Sequence, residues 1–267
     1  MLLRERGIFS FGIPAGTPVI ALGVGLGALG MISTQAAFGG FVGGVEHFEG
    51  TVKDTATWQE YVSNGEVIIQ NNALTIADPQ GTGIKTGDYT TREVKVLPGN
   101  SLSARVTLNA AGLAELYLTT NSAGATSSTA FDSYWAQLEI GASQTQGGIS
   151  RWIGANGGSN QGADLALVSN PIGQTFEFEI VRPNSTDYIF RAYDAQDALL
   201  GSNTYLGSTP HPEGLFISMQ GINGSTATWD DVTVRIIPEP SPLGTIVGIG
   251  LLLSNRLALH RHPAVDR

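Results

Sequence analysis

The sequence predicts an all-β fold, a two-sheet antiparallel jelly-roll sandwich, and three observations carry the prediction. The chain is rich in turn formers and poor in charge, with 35 Gly, 12 Pro and 14 % charged residues, which suits many short elements joined by tight turns. Short runs alternating apolar and polar residues recur from Val45 to Ile236, the period-two pattern of half-buried antiparallel strands. No segment holds the 3.6-residue period of an amphipathic helix, and no fixed-length repeat points to a propeller or solenoid.

Taken in order, the N-terminus carries Arg4 and Arg6, then an apolar, Gly-punctuated stretch from Val19 to Ile32, then Ser33 and a run ending in Ala36 and Ala37. Basic flank, apolar run and small-residue site are the order of a secretory signal, and the run falls short of the roughly twenty residues of a spanning helix. A signal peptide is therefore expected over 1–37, and a sandwich domain over 38–237.

Within the domain, Val67–Gln70 and Ala73–Ala77 flank Asn71 and Asn72, a pair that tolerates positive φ, and read as a hairpin. From Ser101 to Leu108, the residues Leu102, Ala104, Val106 and Leu108 fall on one face and Ser103, Arg105 and Thr107 on the other. Trp135, Gln137 and Glu139 likewise oppose Tyr134, Ala136, Leu138 and Ile140, and Thr175–Val181 sets Phe176, Phe178 and Ile180 against Glu177 and Glu179. Leu215, Ile217 and Met219, then Val232, Val234 and Ile236, repeat the theme. Segments 121–130 and 154–162 lack large apolar residues and read as long surface loops.

Charge excludes one class of function. The net charge is −9, and Ala37–Ile237 holds nine Lys plus Arg against twenty Asp plus Glu. With no basic run to track a phosphate backbone, no nucleic-acid partner is expected. The chain has no cysteine, which removes disulfides, thiolate metal sites and Cys nucleophiles.

For sugar binding, Trp135, Gln137 and Glu139 put an aromatic ring beside polar groups on one strand face, and Trp152 is a second aromatic candidate. The competing reading is that these rings serve packing. For a metal, Asp230 shares the parity of Val232 and Val234, so a regular strand aims it at the core side. With Glu49 and Asp231 it forms a candidate structural calcium site through oxygen ligands; the alternative is that Asp230 sits in a turn and caps backbone amides. For catalysis, glycan-cleaving jelly rolls use two carboxylates. Glu177 and Glu179 share a strand face but read as solvent-facing structural groups. With His47 and His211 the only histidines of the domain and no Gly-x-Ser-x-Gly, no Ser-His triad can be built.

At the C-terminus, Pro238-Glu239-Pro240-Ser241-Pro242 precedes an apolar segment, 243–259, in which Leu243–Leu253 is continuous, followed by His260, Arg261 and His262. The prolines force an extended spacer and end the domain; the segment behind them is expected to form a short apolar helix. Pro-Glu-Pro, apolar segment and basic end at the extreme C-terminus resemble the PEP-CTERM sorting signal. The resemblance covers only about the last thirty residues, 238–267. It implies that Pro238, Glu239 and Pro240 are read by a membrane-bound sorting enzyme of the exosortase type, and that the carrier is a surface or matrix protein associated with exopolysaccharide. The trailing Pro263–Arg267 departs from the family's compact Arg cluster.

Several phrases of the domain occur in an order that resembles the concanavalin A-like lectin and glucanase superfamily: His47-Phe48-Glu49-Gly50 with Trp58, the Asn71 hairpin, Gly173–Ile180, Tyr193–Asp197 and Trp229–Val234. Galactose-binding-like modules share the first and last of these. The glucanase pattern Glu-x-Asp-x-x-Glu is interrupted, because Gly141 stands where its Asp would follow Glu139. The expectation is therefore a non-enzymatic, exported envelope or matrix protein that binds carbohydrate. It would meet the export machinery and the sorting enzyme, and be membrane-associated through its tail. A glycan-degrading hydrolase or lyase, and a structural coat protein without ligand, are the alternatives.

Overall fold

The computed structural model describes residues 44–62, 65–79, 87–121, 134–154, 159–160 and 164–237. The expected signal peptide, the sorting tail with its apolar helix, and most of the two predicted loops lie outside the described residues. No helix among the described residues is long and apolar enough to cross a membrane.

In chain order the first eight strands are β1 (Val45–Glu46), β2 (Trp58–Val62), β3 (Val67–Gln70), β4 (Leu74–Ala77), β5 (Gly87–Val96), β6 (Asn100–Ala110), β7 (Gly112–Thr119) and β8 (Trp135–Ala142). The next eight are β9 (Gln146–Gly154), β10 (Ser159–Asn160), β11 (Ala166–Ser169), β12 (Thr175–Arg182), β13 (Tyr188–Asp194), β14 (Leu199–Tyr205), β15 (Leu215–Ile222) and β16 (Thr226–Ile236). One sheet, A, runs β14-β13-β12-β6-β16-β4-β3, with β1 also on β16; the other, B, runs β10-β9-β8-β7-β15-β5-β2, with β11 also on β9. All pairings are antiparallel. The all-β two-sheet prediction holds.

The inward faces are the ones the alternation predicts. Leu102, Ala104, Val106, Leu108, Phe178 and Ile180 from sheet A, and Leu116, Leu118, Leu138, Ile140, Ile217 and Met219 from sheet B, have no exposed surface. Each of these Leu, Val, Ile, Phe and Met side chains contributes about 1.5–3 kcal/mol relative to leaving it in water. The Asn71–Asn72 hairpin forms with Asn72 at φ 55°, and β4 starts one residue later than the alternation suggested. Part of the predicted loop 154–162 is the short strand β10, which a two-residue span gives periodicity no chance to reveal.

Asp230 departs from the expected geometry. The register of β16 against β6 shifts between Asp230 and Thr233, and Asp231 takes φ 52°, so a β-bulge resets the alternation. Trp229, Val232 and Val234 stay buried, while Asp230 turns aside, half-buried. Ile236, expected inside, is 66 % exposed at the end of the strand.

Two corners and one staple join the sheets. Asn223 (φ 59°) and Gly224 (φ 83°) turn the chain from β15 in sheet B to β16 in sheet A, with backbone angles that these two residues adopt readily. Gly112 (φ 139°) opens β7 against that turn, and a Cβ there would lie 2.5 Å from the Ser225 nitrogen. At another place the wholly buried Arg182 donates from Nη1 to the Val96 carbonyl and from Nη2 to the His211 carbonyl at 2.7 Å. Burial pushes its guanidinium below the usual range. The His211 ring lies 4.0 Å from that of Tyr134, tilted by 32°, and Tyr134 immediately precedes β8. The buried staple thus helps position the strand that carries the candidate site.

Candidate functional site

The outward face of sheet B is polar, and much of it is buried. Cross-strand register aligns two rows on it. The first runs Gln59, Thr90, Ser218, Tyr117, Gln137, Trp152, and the second runs Gln220, Glu115, Glu139, Ser150. Glu115 on β7 lies directly opposite Glu139 on β8, which places their Cβ atoms about 4.5–5.5 Å apart.

One amide joins the two acids. Gln137 Nε2 donates to Glu115 Oε1 at 3.0 Å and to Glu139 Oε2 at 2.6 Å. Tyr117 donates its hydroxyl to the other oxygen of Glu115 in a short bond. Glu139 Oε1 accepts from Ser150 Oγ at 2.7 Å and from Trp152 Nε1 at 2.8 Å. Turning the amide nitrogen toward both acids leaves Gln137 Oε1 buried and, among the described residues, without a hydrogen-bond partner. An unmet buried acceptor costs about 1–3 kcal/mol. Glu115, Tyr117 and Gln137 are 1 %, 0 % and 2 % exposed, whereas Glu139 and Trp152 are partly open.

Of the residues singled out for carbohydrate, Gln137, Glu139 and Trp152 are thus in direct contact. Trp135 sits at the same face with its ring edge-on to Tyr117, centroids 6.0 Å apart. The sequence reading missed Glu115 and Tyr117. The available signal was an acid and a tyrosine at the same parity of an otherwise apolar run, Leu113–Leu118.

Of the calcium candidates, Asp230 and Asp231 lie together, joined by His47, with ligating atoms of all three within 4.8 Å of one another, and the Glu49 charge acts on Asp230. His47 Nδ1 is 2.7 Å from Asp231 Oδ1, and Arg105 Nε lies 3.6 Å from Asp231 Oδ2, so Asp231 already has two partners. Asp230 Oδ1 accepts the Asp231 amide at 2.8 Å, the local capping that was the alternative. Its carboxyl is raised above the ordinary value, chiefly by desolvation, with the Asp231 charge adding to it. Glu177 and Glu179 lie on the outer face of sheet A, paired with Arg105 at 3.7 Å and Arg191 at 2.9 Å, as structural groups.

No protein-family profile matches the sequence, and no curated protein is significantly similar to it. Solved structures of similar fold exist. An alginate lyase from Pseudomonas aeruginosa is 13 % identical, over 68 % of this chain and 99 % of its own, with a TM-score of 0.44. A β-1,3-glucanase from Mycobacterium marinum is 13 % identical, over 73 % of this chain and 99 % of its own, at 0.48. A protein of unknown function with a galectin-like fold from Bacillus subtilis is 10 % identical, over 67 % and 89 %, at 0.46. The expectation of a non-enzymatic domain is corrected here. It rested on seeking both carboxylates within one strand, whereas Glu115 and Glu139 pair across two.

Proposed function

We propose that the chain is an exported glycan-degrading enzyme whose cleft is the outer face of sheet B, with Glu139 and Glu115 as its carboxylate pair. The observation that carries the proposal is the Gln137 amide bonded to both acids. Acids that share one donor sit closer than the roughly 6.5–9.5 Å that inverting glycosidases leave for a water, nearer the roughly 5–5.5 Å of retaining ones. Glu139 is the group a substrate meets first, held by three donors in a fixed orientation suited to a nucleophile or base. Glu115 stands behind it with Tyr117 as proton-bearing neighbour, and the buried Gln137 amide fixes the two acids relative to each other.

Hydrolysis of a neutral glycan fits better than elimination from a uronate. The two rows contain no Lys or Arg, and Lys95, one row further along the same face, sits over the Phe216 ring, so among the described residues a polyanionic chain would meet two carboxylates with no cation beside them. A panel of β-1,3-glucan, mixed-linkage glucan, xylan and alginate, read by reducing ends and by the ultraviolet absorbance of unsaturated products, tests this. New reducing ends from a neutral polysaccharide, lost in Glu139→Gln, support the proposal, and no product from any of the four would sink it. Delivery by the two terminal segments is the second half of the proposal. Intact-mass analysis of envelope-derived protein, beside a variant with Pro238, Glu239 and Pro240 replaced by Ala, reads whether both ends are removed.

A further inference from the structure

We propose that the sandwich binds a small inorganic anion, chloride, at the end where β12 turns into β13, bonded to Arg182 Nε and the Tyr188 hydroxyl. The site lies apart from the polar rows of sheet B and does not depend on the glycan-cleaving reading.

Charge is the first argument. The part-exposed Arg105 and Arg191 have acids beside them, Asp197 at 3.2 Å and Glu179 at 2.9 Å. Arg182 has no exposed surface, and among the described residues no carboxylate comes within ion-pairing distance of it. Glu213, the acid whose charge reaches it, is instead 3.4 Å from His211 Nδ1 with half its side chain in solvent. A guanidinium keeps its proton, and a buried charge without a partner is costly. An anion that enters with it removes that cost.

Unmet donors are the second argument. Arg182 spends Nη1 on the Val96 carbonyl and Nη2 on the His211 carbonyl, while its buried Nε has no partner among the described residues. Tyr188 is equally buried, and its hydroxyl is also unmet. The two belong to one cluster. The guanidinium carbon is 5.7 Å from the Tyr188 ring centre, and the phenol acts on the guanidinium without a direct bond between them. Tyr134, with its ring 6.1 Å from Tyr188 and 4.0 Å from His211, completes the cluster, and His211 Nε2 is a third unmet buried atom there. Two donors within reach of each other and unbonded, one of them cationic, are satisfied together by a shared acceptor. A water would meet the hydrogen bonds but not the charge. A carboxylate or phosphate brings more acceptor sites than two donors can fill. A monovalent halide matches both the charge and the donor count.

The test is thermal unfolding of the full chain, dialysed into sodium gluconate and titrated with sodium chloride at constant ionic strength. The melting temperature is expected to rise and saturate, by about 3–6 °C where chloride stands roughly tenfold above its dissociation constant. The rise is expected to shrink or vanish in Tyr188→Phe, which keeps the ring and removes the donor. A flat or falling titration would overturn the proposal, and so would an equal rise in Tyr188→Phe, which puts the ion elsewhere. Crystals grown in sodium bromide read the position directly, whether or not the variant folds. Anomalous density between Arg182 Nε and the Tyr188 hydroxyl is expected; ordered water there without an anomalous signal would assign those donors to solvent and sink the anion.

Discussion

The two outward faces of the sandwich are built from the same alternation and hold their acids in different environments. On sheet A, Thr75, Thr228, Thr107 and Thr175 form a cross-strand row with hydroxyl contacts of 3.3 Å and 2.7 Å at its two ends, and Arg105 and Arg191 hold Glu177 and Glu179 in half-exposed pairs. On sheet B the corresponding polar positions, Glu115, Tyr117, Gln137, Ser218 and Gln220, are buried. Exposed pairs are worth little because water competes for them. Buried polar groups are costly unless satisfied, and what they hold is rigid. A sandwich needs only one kind of outer face to be soluble, so the one that gives up hydration is where function is to be sought.

The contrast is sharpest in catalysis. Glu139→Gln keeps the shape of the site and removes its charge; glycan cleavage is expected to fall by about 10²–10⁴-fold, whereas Glu179→Gln on the other face leaves the rate unchanged. Reducing-end assays on both variants check this, and equal losses would erase the distinction between the faces.

Stability gives the next contrast. Tyr117→Phe removes the buried hydroxyl that donates to the Glu115 carboxylate, at an expected cost of about 1–3 kcal/mol in urea unfolding. Arg191→Ala breaks a half-exposed pair and is expected to cost about 0.2–1 kcal/mol, less in high salt. A larger loss for Arg191→Ala than for Tyr117→Phe would reverse the ranking.

The smallest effect belongs to the bulge. Because the Asp230 carboxyl is raised in the folded state, its favourable contribution is fully present below the ordinary value of 3.8 and is lost as pH rises through its folded value. Asp230→Asn is therefore expected to melt slightly above the parent at pH 7, with the gap closing near pH 3. A variant that melts below the parent at pH 7 would mean that the charged form does structural work with His47.

Much of this was legible along the chain because period-two alternation is a local property. Val106, Phe178 and Met219 announce a buried face by their neighbours alone, and Asn72 announces a turn by its tolerance of positive φ. Gln137, Glu139 and Trp152 were also legible, as polar and aromatic residues at one parity. Asp230 was misplaced because a bulge depends on the partner strand, which no window of sequence contains. Glu115 was missed for a related reason, since its partner acid is 24 positions away in sequence and adjacent only through the β7–β8 register.

By itself, then, the amino-acid sequence determined the class of fold, the inward faces of the strands and the acidic, cysteine-free character of the domain, all of which follow from composition and near-neighbour periodicity. Only the tertiary structure decided which acids pair, which polar face is buried, and that His47 joins Asp230 and Asp231. Those depend on register between strands and on burial, and both are set by residues far apart in the chain.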